Sequence, residues 1–189
     1  MADGTLAAVR AAAASHPRAR AYIPTMPEHP NAALLARFYA AFASLHPASM
    51  AACYAPDARF DDEVFALRGR EEIGAMWTML CQATRTSGMA QWRLAASDIA
   101  ANATDGRAHW DAWYRFSATG RDVHNRIDAR FEFQDGLISA HRDRFDFWGW
   151  SRQALGTPGL LLGWTPLLRA KVRRQAAAKL AAFRGTPAT

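Results

Sequence analysis

Two short strings hold the residue types of acid/base chemistry, His109-Trp110-Asp111 and His141-Arg142-Asp143. In each, an imidazole and a carboxylate stand two residues apart, which puts both on one face of an extended strand. Trp113 and Phe145 continue those faces. Large aromatic neighbours make a pocket in which the pKa of an acid or an imidazole is tuned, and such a group takes up or releases a proton near neutral pH. The plain alternative is that each pair is ordinary polarity on a solvated strand face. Asp61, Asp62 and Glu63 form a second cluster. Three acids in a row read first as a solvated turn, but strand alternation turns one of the two aspartates inward.

The elements that must hold these groups follow from periodicity. Asn31 after Pro30 is the expected N-cap of a helix running to about Leu45, with Leu34, Leu35, Phe38, Phe42 and Leu45 at helical spacing. A short helix follows Pro47, passes Met50 and Cys53, and ends before Pro56. Residues 58–68 read as a short strand pair. Gly69 breaks it, and Arg70 to Thr84 reads as a helix with Ile73, Met76, Trp77 and Leu80 on one stripe. After Gly88 the period changes to two. Residues 89–101, 107–117, 122–134 and 137–148 read as four strands, with Asp-Gly at 105–106 and 135–136 and Thr119-Gly120 in the turns. Short turns make the four an antiparallel meander. Beyond Trp150, Gly156, Pro158, Gly159, Gly163 and Pro166 punctuate the chain before a last helix over 167–184.

Helices on one face of an antiparallel sheet define an α+β domain. If the sheet curves, the domain is a cone with an internal pocket. The expected organisation is a flexible leader over 1–30, one domain over 31–150, and a C-terminal cover segment with a basic helix over 151–189.

Several local strings resemble the NTF2-like superfamily in its SnoaL-like, ketosteroid isomerase and limonene epoxide hydrolase branches. They are Tyr54-Ala55-Pro56-Asp57-Ala58, Gly69-Arg70-Glu71, the hairpin Phe131 to Ile138, and His141 to Asp146. The resemblance spans about residues 31–150 and implies a cone-shaped fold. It also selects Asp62 from its cluster, because Asp62 falls where the isomerase branch has its general-base aspartate. Phe38 falls near that branch's oxyanion tyrosine and cannot donate, so Tyr39 or Tyr114 would have to. Asp111 and Asp143 match the two aspartates of the hydrolase branch. His109 stands where its arginine would be, and Phe60 and Asp62 where its tyrosine and asparagine would be. The expected catalytic set is Asp62, His109, Asp111 and Asp143. Phe38, Tyr39, Phe60, Trp77, Trp113, His141 and Phe145 are expected to bind substrate. The resemblance implies no cofactor and no metal, and a homodimer formed through the outer face of the sheet. An apolar row of Trp110, Ala112, Tyr114 and Phe116, opposite His109 and Asp111, is the surface expected to be covered in that dimer.

Composition narrows the partners. The chain has 189 residues and a formal net charge of +6. Residues 1–165 hold 17 basic and 17 acidic side chains, so the whole excess lies in residues 166–189, which contain no acid. A nucleic-acid-binding domain carries its charge on the folded body, so nucleic acid is not the expected partner. Two cysteines exclude a disulfide scaffold. No apolar run reaches the ~20 residues of a membrane span, and residues 1–30 lack the apolar core of a secretory signal, so a cytoplasmic location is expected. The C-terminal helix reads as packing on the domain. Lying on a membrane is its weaker reading, because Ala176, Ala177 and Ala178 thin its apolar face. Gly159–Trp164 is expected to cover the pocket mouth. The resulting expectation is metal-free proton transfer on an apolar small molecule, by isomerisation, cyclisation, hydrolysis or elimination. A non-catalytic binding or assembly module is the alternative.

Overall fold

The computed structural model describes residues 29–185, so the expected leader lies, up to residue 28, outside the described residues. Helix α1 spans Pro30–Ala43 and buries Leu34, Leu35, Phe38, Tyr39 and Phe42. Its cap is His29 rather than Asn31. The His29 ring accepts from the Asn31 amide at 3.1 Å, with Pro30 at the first helical position, where its missing N–H costs nothing. Asn31 is thereby free to donate its side-chain amide to the carbonyls of Asn102 and Ala103, tying the helix to a distant turn.

Helix α2 (Pro47–Ala51) leads into β1 (Tyr54–Asp61), β2 (Ala66–Arg68) and α3 (Arg70–Ser87). A single 3-10 turn precedes β3 (Arg93–Ala101), β4 (Asp105–Phe116), β5 (Arg121–Gln134) and β6 (Leu137–Arg144). The four-strand meander is present, and the sheet extends beyond it in the order β2-β1-β6-β5-β4-β3. β1 pairs with β6 in parallel, although 75 residues separate the end of one from the start of the other. A register shift between Ser97 and Ala100, with Asp98 at φ 52°, interrupts the β3–β4 ladder, the kind of bulge that bends a strand. The curved sheet packs one face on α1 and α3, and the core lies between them. The α+β fold with its curved sheet is as expected.

One face assignment is reversed. His109 and Asp111 were expected to point the same way as His141 and Asp143. The ladder separates them. β4 pairs Trp110 with Ile127 and Ala108 with Ala129, while β6 pairs His141 with Phe131 and Asp143 with Ala129. Trp110 therefore shares the inner face with His141 and Asp143, and His109, Asp111 and Trp113 take the outer one. Period-two alternation makes the choice all-or-none, and the larger apolar row wins the core. The outer face expected to be apolar in a dimer is instead a network of His, Asp and Arg side chains.

Helices α4 (Phe147–Leu155), α5 (Thr157–Leu162) and α6 (Pro166–Gly185) complete the domain. α6 turns back across α3, burying Leu180 and packing Ala176 and Phe183 on the core. Ion pairs hold it, Arg169 to Glu63 at 3.1 Å and Arg184 to Glu72 at 3.0 Å. Gly159–Trp164 does not cover the pocket as expected. Leu160, Leu161, Leu162 and Trp164 are exposed, and α6 supplies the missing wall. Among the described residues, no helix is long and apolar enough to cross a membrane.

Candidate functional site

A cavity of about 350 Å³ lies between the inner face of the sheet, α3 and α6. Its wall is mostly aromatic and aliphatic, with Phe42, Phe60, Trp77, Trp110, Tyr114, Ile127, Phe145 and Trp150 among the lining residues. Two carboxylates enter this apolar surface, Asp62 and Asp143.

Asp62 follows β1 and opens the turn to β2. Its Oδ1 accepts from the backbone amides of Val64 at 2.6 Å and Phe65 at 2.5 Å, an Asx-type turn. Arg173 of α6 grips the same turn, donating to the carbonyls of Asp62 and Glu63 at 3.0 and 2.9 Å. Burial pushes the Asp62 carboxyl up to about 7. The two backbone amides oppose that rise, and the charges of Asp143 and Asp61 add to it.

Asp143 is buried on β6, and its Oδ1 accepts from His141 Nε2 at 3.0 Å and Trp110 Nε1 at 3.4 Å. Behind it runs a chain of hydrogen bonds. Trp77 Nε1 donates to the Tyr54 hydroxyl at 3.2 Å, and that hydroxyl lies 2.7 Å from His141 Nδ1. One proton arrangement satisfies every member. Tyr54 donates to an unprotonated Nδ1, and Nε2–H donates to the Asp143 carboxylate. A proton on Nδ1 would strand the Tyr54 hydroxyl hydrogen. His141 itself is sealed by the rings of Phe131, Phe60 and Phe38, with centroids 4.3, 5.0 and 5.7 Å away.

Tyr114, on the inner face of β4, accepts from Trp150 Nε1 at 2.9 Å. Burial raises its phenol to about 12, and the Asp62 charge contributes. The phenol stays protonated. Among the described residues nothing accepts that proton, so it is available to a guest in the cavity.

The expected site residues thus divide by place. Asp62, Asp143, Phe60, Trp77 and Phe145 line the cavity. His141 stands behind Asp143. Phe38 and Tyr39 belong to the core layer, not to the cavity wall. Phe38 packs edge-on against Tyr54 and Trp77, and Tyr39 packs against Trp110, with its buried hydroxyl bonded to no described group. His109, Asp111 and Trp113 are on the far side of the sheet. There His109 Nδ1 meets Asp128 at 2.8 Å, His124 bonds Asp111, and Trp113 stacks on His124 with centroids 4.3 Å apart. The hydrogen bond to Asp128 raises the His109 pKa, and the hydrogen bond from His124 lowers that of Asp111. Among the described residues, no three His, Cys, Asp or Glu side chains are grouped to hold a metal.

Sequence reasoning places Trp110 in the outward row and so misses it as a wall residue, while Tyr114, in the same row, enters only as the alternative to Tyr39 as a donor. Their bulk, against His109, Asp111 and Arg115 at the alternate positions, was the available signal. Val172, Gln175, Ala176 and Lys179 of α6 also line the cavity, and no local signal connects them to residues a hundred positions earlier.

The SnoaL-like domain family matches residues 35–141, more than half of the sequence. The chain belongs to the SnoaL-like family. Solved structures agree on the NTF2-like fold. A proposed polyketide cyclase from Xanthomonas campestris pv. campestris is 21% identical with a TM-score of 0.52, over 66% of this chain and 96% of its own. An LEH-like epoxide hydrolase from M. tuberculosis is 16% identical with a TM-score of 0.51, over 70% and 92%. A protein with a ketosteroid isomerase-like fold from Catenulispora acidiphila, in complex with trimethylamine, is 17% identical with a TM-score of 0.54, over 75% and 100%. At these identities the SnoaL-like chain shares their fold, and its chemistry must be argued from its own cavity. No curated protein matches the sequence.

Proposed function

We propose that this SnoaL-like protein carries out cofactor-independent proton transfer on an apolar small molecule, of the isomerase, cyclase or hydrolase/lyase kind. The observation that carries the reading is Asp62, a carboxylic acid raised to about 7 in the wall of an apolar cavity. A group that exchanges its proton near the working pH can serve in turn as base and acid. In an isomerisation, the free Asp62 carboxylate oxygen removes a proton from carbon next to a carbonyl. Tyr114 O–H donates to the oxygen on which negative charge develops. The same carboxyl then returns the proton to a different carbon, so Asp62 ends as it began. Asp143, fixed by His141 and Trp110, is the second carboxylate and supplies part of the negative field that keeps a proton on Asp62. His109 and Asp111 take no part.

The test is solvent-deuterium exchange into a panel of apolar cyclic ketones, followed by NMR, with epoxide opening assayed in parallel. Wild type should turn over at least one member, and Asp62→Asn should lose ~10²–10⁴-fold in rate while still binding it. A second reading is favoured by one observation. Both carboxylates already have structural work, Asp62 capping a turn and Asp143 satisfying a buried imidazole. A protein that binds the panel yet exchanges and opens none of it is a ligand-binding module, and the catalytic reading falls.

A further inference from the structure

Seven large apolar side chains are exposed among the described residues, and six of them lie between Trp148 and Leu167. Leu161 is 63% exposed, Trp164 71% and Leu167 75%. This concentration is built into the fold rather than left by a loose end. α5 is pressed onto α4 so closely that a Cβ on Gly159 would stand 1.8 Å from the Ser151 carbonyl oxygen, and one on Gly163 would stand 2.0 Å from its hydroxyl. Ser151 Oγ donates to the Gly159 carbonyl at 3.2 Å, and Trp148 Nε1 to that of Leu160 at 3.2 Å. With the glycine side of α5 locked inward, its leucines must face out.

The patch continues into positive charge. On α6, Leu167, Lys171 and Arg174 stand at i, i+4 and i+7, one stripe directed to solvent, while Val172, Ala176 and Leu180 face the domain. Glu63 and Glu72 are engaged by Arg169 and Arg184. Among the described residues Lys171 and Arg174 have no acidic partner. Leucine and tryptophan beside unneutralised lysine and arginine is the composition of a surface that lies on an anionic bilayer. A second copy of the chain fits less well, because a two-fold contact through this corner would bring Lys171 and Arg174 of both copies into one interface with no acid among them.

We propose that the α5–α6 corner docks this protein on anionic membrane surfaces, with Leu160–Leu162, Trp164 and Leu167 entering the headgroup region and Lys171 and Arg174 meeting lipid phosphates. This differs from insertion of the apolar stripe of α6, which is occupied by the core. It is independent of the proposed chemistry, since its readout is binding alone. The corner also adjoins the cavity, whose wall includes Trp150 and Leu155 of α4 and Val172 of α6.

The full chain is sedimented with phosphatidylcholine vesicles, with and without ~30% phosphatidylglycerol, at ~0.05 and ~0.5 M salt. The expected result is binding to the anionic vesicles at low salt, weakened at least ~10-fold by high salt or by omitting the anionic lipid. The double variant Leu161→Ser/Trp164→Ser should abolish binding, and Lys171→Glu/Arg174→Glu should reduce it by ~10-fold or more, with circular dichroism unchanged. No binding at low salt overturns the proposal. So does binding that neither double variant weakens. A concentration-dependent dimer in analytical ultracentrifugation that Leu161→Ser/Trp164→Ser dissolves, without vesicle binding, also overturns it and assigns the corner to a second copy.

Discussion

Asp62 works against the fold that holds it. A carboxylate set into an aromatic wall loses much of its water, and two backbone amides only partly replace it. Its folded-state pKa of about 7 lies above the ordinary 3.8, so the folded protein binds this proton more tightly than the unfolded chain does. The resulting contribution is intact below the ordinary value, declines as pH rises between the two, and is fully lost above the higher one. Asparagine keeps an oxygen for both amides and never charges. Asp62→Asn is therefore expected to raise Tm above neutral pH by ~2–4 °C, the shift produced by about 1 kcal/mol in a domain of this size. Below pH ~4 the difference should vanish. Thermal melts across that range check the sign. A residue that lowers stability in the resting protein while lining its cavity fits a functional role better than a packing one.

At the scale of elements, α6 does what the local reading assigned to Gly159–Trp164. It reaches the cavity because Leu180 and Phe183 anchor its far end while Arg169 and Arg173 hold its near end to the Asp62 turn. Arg173 has two neutral carbonyl partners, so its removal leaves no unpaired buried charge. Arg173→Ala should loosen the turn without unfolding the domain. Hydrogen exchange at the amides of Val64 and Phe65 should speed up by ~10-fold, while exchange in the middle of β5 stays unchanged. If Arg173 only decorates the surface, those two amides will not respond.

For the whole molecule, the sheet separates two polar systems that the sequence writes with the same letters. The inner His141–Asp143 pair is buried and hydrogen-bonded to Tyr54 and Trp110, and the outer His109–Asp111–His124–Asp128 network is partly exposed. The outer network gives a pH signature of its own. His109 is raised above its ordinary 6.5, so its contribution is complete below that value and is lost as pH rises through the folded one. Asp111 is lowered below 3.8, so its contribution is present above that value and is lost in acid. Both act between the two ordinary values. His109→Gln should cost ~0.2–1 kcal/mol there, the range for partly exposed pairs, and should approach wild type by pH ~9. Melts at pH ~5.5 and ~9 read the difference.

Local chemistry determined a good deal in this chain. Helical spacing of Leu34, Leu35, Phe38 and Phe42, and short Gly-bearing turns between alternating runs, specified α1, α3 and the meander. These are contacts between near neighbours, and their periods are written in the residues themselves. Asp62 and Asp143 were legible as cavity acids through the family resemblance and strand parity. The face taken by His109 and Asp111 was not legible from a His-x-Asp string, because alternation states that two residues share a face without stating which face is inside. Only the pairing of β4 with β5, and of β5 with β6, decided it. The parallel bond of β1 to β6, the wall made by α6, and the outward corner at Leu160–Leu167 are likewise products of contacts between distant segments. Such contacts are chosen by the free energy of the assembled core, which no single window of sequence contains.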